Sequence, residues 1–132
     1  MNIVFDTNVL ISAFLTTTGP SQHVLSRALK KHRVVLSEYI LNEFTEKLTH
    51  KLQISPHQVT HATIYLKKKV LIPEIPTPEK QPAFPDKKDI PILNLIQFVK
   101  PHYLITGDKK LLELKKLGAT LILSPREAME IL

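Results

Sequence analysis

Five carboxylates stand where they could do chemistry. The chain has only four aspartates, Asp6, Asp86, Asp89 and Asp108, and a glutamate, Glu43, falls in a comparable place. Asp6 closes the short apolar run at residues 3–5, and Asp108 follows "HYLIT" after a single glycine. Asp89 opens the apolar segment that leads into "HYLIT", and Glu43 lies six residues past the end of "RVVLS". Carboxylates brought from separate elements to one rim make a set of hard oxygen ligands, which suits Mg²⁺ or Mn²⁺ and their phosphate partners. Each acid alone has a plainer reading. Aspartate is a favoured helix N-cap, and Asp6, Asp89 and Asp108 all precede helical stretches. Asp86 reads most simply as a cap, and Glu43 as a solvated helix residue. The joint placement shifts the reading towards a cation, because three or four like charges on one rim are costly with nothing positive among them.

The rest of the chain is strongly basic, with a net charge of +6 and an isoelectric point near 9.6. Its lysines come in runs at 30–31 and 67–69 and in pairs at 87–88, 109–110 and 115–116. Such a balance attracts polyanions, of which nucleic acid is the commonest in a cell, although a lysine-rich surface also serves solubility. Lys87, Lys88, Lys109 and Lys110 flank the acids and are the candidate nucleic-acid contacts. Metal ions in such a pocket, about 4 Å apart if two bind, stabilise the attacking and leaving oxygens of an in-line displacement. The residues therefore point to metal-dependent hydrolysis of a phosphodiester.

The elements that must position these acids can be read from hydrophobic period and punctuation. Residues 3–5 form a buried strand followed by a helical stretch through Leu15. After a break at 16–20, a helix carries Val24, Leu25, Ala28 and Leu29 on one stripe. A second strand at 33–37 ends in Ser37, which caps a helix with Ile40, Leu41, Phe44, Leu48 and Leu52 on one face. "SPHQ" at 55–58 reads as a capping box that starts a helix running towards Val70. Five prolines between Pro73 and Pro85 make an exposed connection. From Ile90 to Val99 a helix is apolar nearly all round, hence buried. A strand at 102–106, a helix at 109–117, a strand at 119–123 and a short helix capped by "SPRE" at 124–127 complete the chain. Strands alternate with helices and no hairpin signal joins two strands, which implies one domain spanning 1–132. The expected architecture is an α/β sandwich on a mostly parallel sheet. In such sheets function gathers outside the carboxyl ends of the strands, where Asp6 and Asp108 both fall.

Other chemistries are excluded or weak. The composition, 43% hydrophobic and 23% charged with no cysteine, is that of a globular domain with neither disulfides nor thiolate chemistry. Three glycines form no phosphate-binding loop and no nucleophile elbow. His57 and His61, one helical turn apart, lack the glutamate of a helical zinc motif and read as surface histidines. A dehalogenase-type phosphohydrolase would need an acid where Asn8 stands. Apolar runs are far shorter than the ~20 residues that span a bilayer, so the expectation is a cytoplasmic protein with no membrane role.

Five stretches in order, "IVFDTNVLISAFL", "VVLSEYILNEFTEKL", "PDKKDIPIL", "YLITGDKKLLEL" and "ATLILSPREAMEIL", resemble a PIN-domain protein. The likeness is greatest to the small prokaryotic PIN proteins of toxin–antitoxin pairs, and it spans nearly the whole chain. The resemblance implies a three-layer α/β/α sandwich, a Mg²⁺ or Mn²⁺ pocket and endoribonuclease activity that leaves 5′-phosphate and 3′-hydroxyl ends. It carries the family's four acids onto Asp6, Glu43, Asp89 and Asp108. Asn8 and Thr106 fall on polar positions that orient the acids or contact metal-bound water. A homodimer and a cognate antitoxin are also implied. The sequence departs from the family pattern at Lys88, Ile90 and Lys110, where relatives often carry acidic or polar groups.

Overall fold

The computed structural model describes residues 1–76 and 87–132, with Lys87 described in its backbone alone. The proline-rich run beyond Pro76, and the expected cap Asp86, lie outside the described residues. Strand β1 (Asn2–Phe5) buries Ile3, Val4 and Phe5 in succession. Burial of consecutive residues means that both faces of the strand are covered, as in parallel sheets clothed by helices.

Helices α1 (Thr7–Leu15) and α2 (Pro20–Lys31) lead from β1 to its neighbour β2 (Arg33–Val35). Helices α3 (Glu38–Glu46), α4 (Pro56–Lys69) and α5 (Ile90–Val99) then lead to β3 (Tyr103–Ile105), which pairs with β1 on its other side. Helix α6 (Lys109–Leu114) and strand β4 (Lys116–Leu117) connect β3 to β5 (Thr120–Leu123), and α7 (Pro125–Ile131) follows. The sheet order is β2-β1-β3-β5-β4. Four strands are parallel, and β4 alone runs antiparallel to β5. The result is the expected α/β/α sandwich on a mostly parallel sheet. Its connections leave β1 towards one edge and β3 towards the other. The crevice at the carboxyl ends of these two central strands is where such a sheet holds ligands.

Local chemistry explains most of the element boundaries. Ser37 Oγ accepts the Ile40 N–H to start α3, and Ser124 with Glu127 forms a complete capping box on α7. At α4 only half the expected box forms: Ser55 Oγ accepts the Gln58 N–H, while the Gln58 side chain accepts from the Ser55 hydroxyl instead of the backbone.

Several expectations need correction. Helix α6 stops at Leu114, because Lys115 turns to φ 61° and its N–H bonds Leu112 O. Residues 116–117 then pair with β5 across a two-residue turn at Gly118 and Ala119, so a hairpin is present after all. Gly118 supplies the positive φ, 57°, that a tight hairpin turn needs at its first central position. The second strand ends at Val35, two residues early. Leu52 leaves the buried face, because α3 passes into a π turn at Lys47–Lys51 that shifts the helical period. Helix α5 buries Ile92, Leu93, Leu95 and Ile96 but exposes Phe98, so it is covered on fewer sides than its sequence suggests.

Phe44 fixes α3 against the core. Its ring is fully buried and meets Phe14 of α1 edge-on at 5.3 Å. Truncation to alanine removes that packing and leaves a cavity, so Phe44→Ala is expected to cost about 3–5 kcal/mol in urea unfolding. A cost below about 1 kcal/mol would show that α3 is not seated this way.

Candidate active site

The chain's first acid sits where β1 ends. The Asp6 N–H donates to Ile105 O at 2.9 Å, which extends the β1–β3 ladder by one bond. One Asp6 oxygen accepts the Thr7 N–H at 2.8 Å and so caps α1. The other accepts the Thr106 hydroxyl at 2.8 Å. Thr106 follows β3 and is fully buried, and its own Oγ1 accepts the Asp108 N–H at 3.0 Å. One hydroxyl thus ties the ends of the two central strands together and sets the positions of two acids.

Asp108 caps α6, with one oxygen accepting the N–H groups of Lys110 at 2.8 Å and Leu111 at 3.4 Å. The plain reading of Asp6 and Asp108 as caps is therefore correct; the cap leaves the second Asp108 oxygen to the crevice, whereas each Asp6 oxygen already accepts one bond. Asp89 differs: it is buried at the start of α5 and makes no side-chain cap bond to that helix. Glu43 projects from α3.

These four acids line one cavity of about 100 Å³ together with Thr7, Asn8 and Ile92. Burial pushes the Asp6 carboxyl above its ordinary range, and the charges of Glu43 and Asp108 push it further, while the Thr106 and Thr7 bonds pull it back. The same acids act on Tyr39, whose hydroxyl is raised by burial and by Glu43 and Asp89. Negative charge is thus concentrated in this crevice within a basic protein.

Of the expected lysine contacts, Lys88 lines the cavity. Lys109 and Lys110 belong to the first turn of α6 and are not among the lining residues; the Lys87 side chain lies outside the described residues. Asn8 lines the cavity and accepts the Lys47 ammonium on its Oδ1 at 3.2 Å. Sequence reasoning missed Tyr39 and Lys47. Both stand four residues from Glu43, and that helical spacing was the available signal. Thr7 was also missed. Its Oγ1 is buried and has no hydrogen-bond partner among the described residues. His57 and His61 lie elsewhere, on α4, with rings 5.3 Å apart beside Phe14 and Tyr65.

The donor set suits a hard divalent cation: carboxylates from four elements, mutual repulsion that a cation would relieve, and an orphaned hydroxyl in the wall. Among the described residues, no three His, Asp or Glu side chains are gathered closely enough to form a metal cluster as they stand. A cation would have to draw the acids inwards.

The comparisons bear on the same elements. Residues 2–110 match the PIN-domain family. No curated protein matches the sequence. Among solved structures, the fold is similar to a chain in the crystal structure of VapBC2 from Rickettsia felis bound to a DNA fragment from their promoter. The TM-score is 0.69 at 12% identity, over 94% of this chain and 98% of that one. The family match runs from β1 into α6 and takes in all four acids, and the chain belongs to the PIN-domain family.

Proposed function

We propose that the chain is a Mg²⁺- or Mn²⁺-dependent endoribonuclease that hydrolyses RNA phosphodiester bonds in the acid cavity. The single observation behind this reading is that four carboxylates from four elements share one cavity at the switch point of the sheet. In this reading Asp6, Glu43, Asp89 and Asp108 hold the cation. A bound Mg²⁺ or Mn²⁺ would supply a water acidified towards neutral pH and positive charge for the phosphate oxygens.

The chain's own side chains do the positioning. Thr106 holds Asp6 by its hydroxyl and Asp108 through its N–H, so neither acid has to be ordered when substrate arrives. Lys47, anchored on Asn8, and Lys88 present positive charge at the cavity for the RNA phosphate. The products would carry 5′-phosphate and 3′-hydroxyl ends. The fold shared with a chain of VapBC2 supports a biological role as the toxin of a toxin–antitoxin pair, with a cognate antitoxin as partner; a homodimer as the working state rests on the family resemblance alone.

The two cavity lysines also favour a second reading, a module that binds RNA or a partner with little turnover. Positive charge set among the ligands competes with a cation as well as gripping a phosphate. A mixed RNA pool incubated with Mn²⁺, Mg²⁺ or chelator separates the two. The nuclease cleaves only with metal, and Asp6→Asn and Asp108→Asn lose at least about 100-fold while circular dichroism stays unchanged. Salt-sensitive binding without cleavage in the wild type would give the second reading the site. Wild-type cleavage by either variant would remove the acids from the chemistry.

Thr106 offers a test of positioning. Thr106→Val keeps the shape but strips Asp6 and the Asp108 N–H of their shared partner. Metal affinity measured by calorimetry should fall by about 10- to 100-fold. Affinity within twofold of wild type would mean that the hydroxyl orients nothing.

The raised Asp6 carboxyl gives a dependence on pH. In chelator, the folded protein holds a proton on Asp6 that the unfolded chain has already released, through the window between the ordinary carboxyl value and the raised one. This contribution to stability is complete below the unfolded value and is lost as pH rises through the folded one. Melting temperatures across pH should therefore show a fall in the wild type that Asp6→Asn lacks. Parallel curves for the two proteins would show that Asp6 is not held this way.

A further inference from the structure

Tyr39 stands at a junction. It lines the acid cavity and also a second, larger groove of about 680 Å³, whose wall carries Glu38, Glu74 and Asn94 beside apolar residues that include Ile72 and Pro73. The residue is 45% exposed although its hydroxyl lies within reach of the Glu43 and Asp89 charges. An aromatic face left open beside a phosphate-handling cavity is the arrangement on which nucleobases stack.

The charged side chains that line this groove, Glu38 and Glu74, are both acidic, which argues against a second phosphate in it. Glu38 and Glu74 would repel the backbone and can only accept hydrogen bonds when ionised. Asn94 also lines the groove, but its Oδ1 is buried and does not face an incoming base. Carboxylate acceptors suit the exocyclic amino group of a base, such as the amino group of cytosine. Uracil carries the carbonyl oxygen O4 where cytosine carries that amino group, and this oxygen would meet the carboxylates unfavourably.

We propose that Tyr39 stacks the base next to the scissile phosphate, and that the groove behind it selects amino-bearing bases through Glu38 and Glu74. This rests on the reading of the acid cavity as the site of RNA cleavage and adds to it a base-recognition pocket. A stacked base has to be unpaired, so the strand enters single-stranded at this point. Tyr39 is a positioning residue in this scheme, and the groove sets specificity.

Binding of short oligocytidylate and oligouridylate to the whole protein, in chelator so that nothing is cut, tests the pocket apart from catalysis. Oligocytidylate should bind about tenfold more tightly. Tyr39→Leu should weaken it by about 5- to 100-fold, and Tyr39→Phe should retain it. Glu38→Gln, which adds a donor, should narrow the preference for cytosine over uracil. Equal binding of the two oligomers, wild-type binding by Tyr39→Leu, or a Tyr39→Phe loss as large as that of Tyr39→Leu each overturns the proposal. The two readings fail separately. Metal-dependent cleavage with no base preference removes the pocket and keeps the nuclease, whereas base-selective binding without cleavage keeps the pocket and removes the nuclease.

Discussion

The crevice depends on one buried hydroxyl. Thr106 donates to Asp6 and accepts from the Asp108 backbone, so it joins the ends of β1 and β3 where their connections part towards opposite sheet edges. Two parallel strands whose chains diverge leave an opening at their carboxyl ends, and backbone groups there lack ladder partners. Side chains fill that role here. Asp6 satisfies the start of α1, Asp108 the start of α6, and Thr106 links the two. The need to terminate strands and begin helices thus places acids at the same spot where a ligand would bind. Capping and ligation are compatible uses of one carboxylate, since each has two oxygens and the caps engage only one of them at Asp108.

Gathering negative charge in this way works against the fold. Asp6 is held above its ordinary range chiefly by burial, against the pull of the Thr106 and Thr7 bonds, and the Glu43 and Asp108 charges add to the rise. The basic surface does not answer this from a distance, because exposed charges more than about 10 Å away are largely screened. Relief has to come from within the crevice. Lys47 is placed to give some of it, held on Asn8 at the point where α3 passes into its π turn. The π turn matters because it alters the direction of successive side chains just beyond Glu43, and such irregular turns are often kept at functional sites.

Much of this was legible in the sequence. The alternation of strand and helix, the buried period of β1 and β3, and the acids following the strands follow from local patterns that tertiary structure did not override. What failed were features set by geometry between elements. The turn at Gly118 and Ala119 lacks the asparagine or aspartate that usually marks a hairpin, and Lys115 enters positive φ without a glycine to announce it. Leu52 fitted the apolar stripe of a regular helix, and the π turn before it shifted that stripe away from the core. Phe98 shares the apolarity of α5, yet burial depends on which neighbours reach a given side, and composition does not say. At the site, the acids were found by type and position. Tyr39, Lys47 and Thr7 were passed over because tyrosine, lysine and threonine are common on helices and gain meaning only beside a cavity.

Lys88, Ile90 and Lys110, where the family resemblance leads one to expect acidic or polar groups, fall unevenly around this crevice. Lys88 lines the cavity, whereas Lys110 contributes its backbone N–H to the Asp108 cap while its side chain is not among the cavity-lining groups. A lysine at position 110 therefore leaves the cap intact, because capping uses main-chain donors that any residue but proline supplies. Lys88 acts where charge counts, beside the buried Asp89 and close to the opening of α5. Ile90 puts an apolar side chain at the first position of a helix in which Ile92 and Leu93 are buried. These three residues thus leave intact the bonds that hold Asp6 and Asp108, and of the three only Lys88 brings charge to the cavity wall. Its influence on the site should therefore fall first on Asp89, on the α5 side of the crevice.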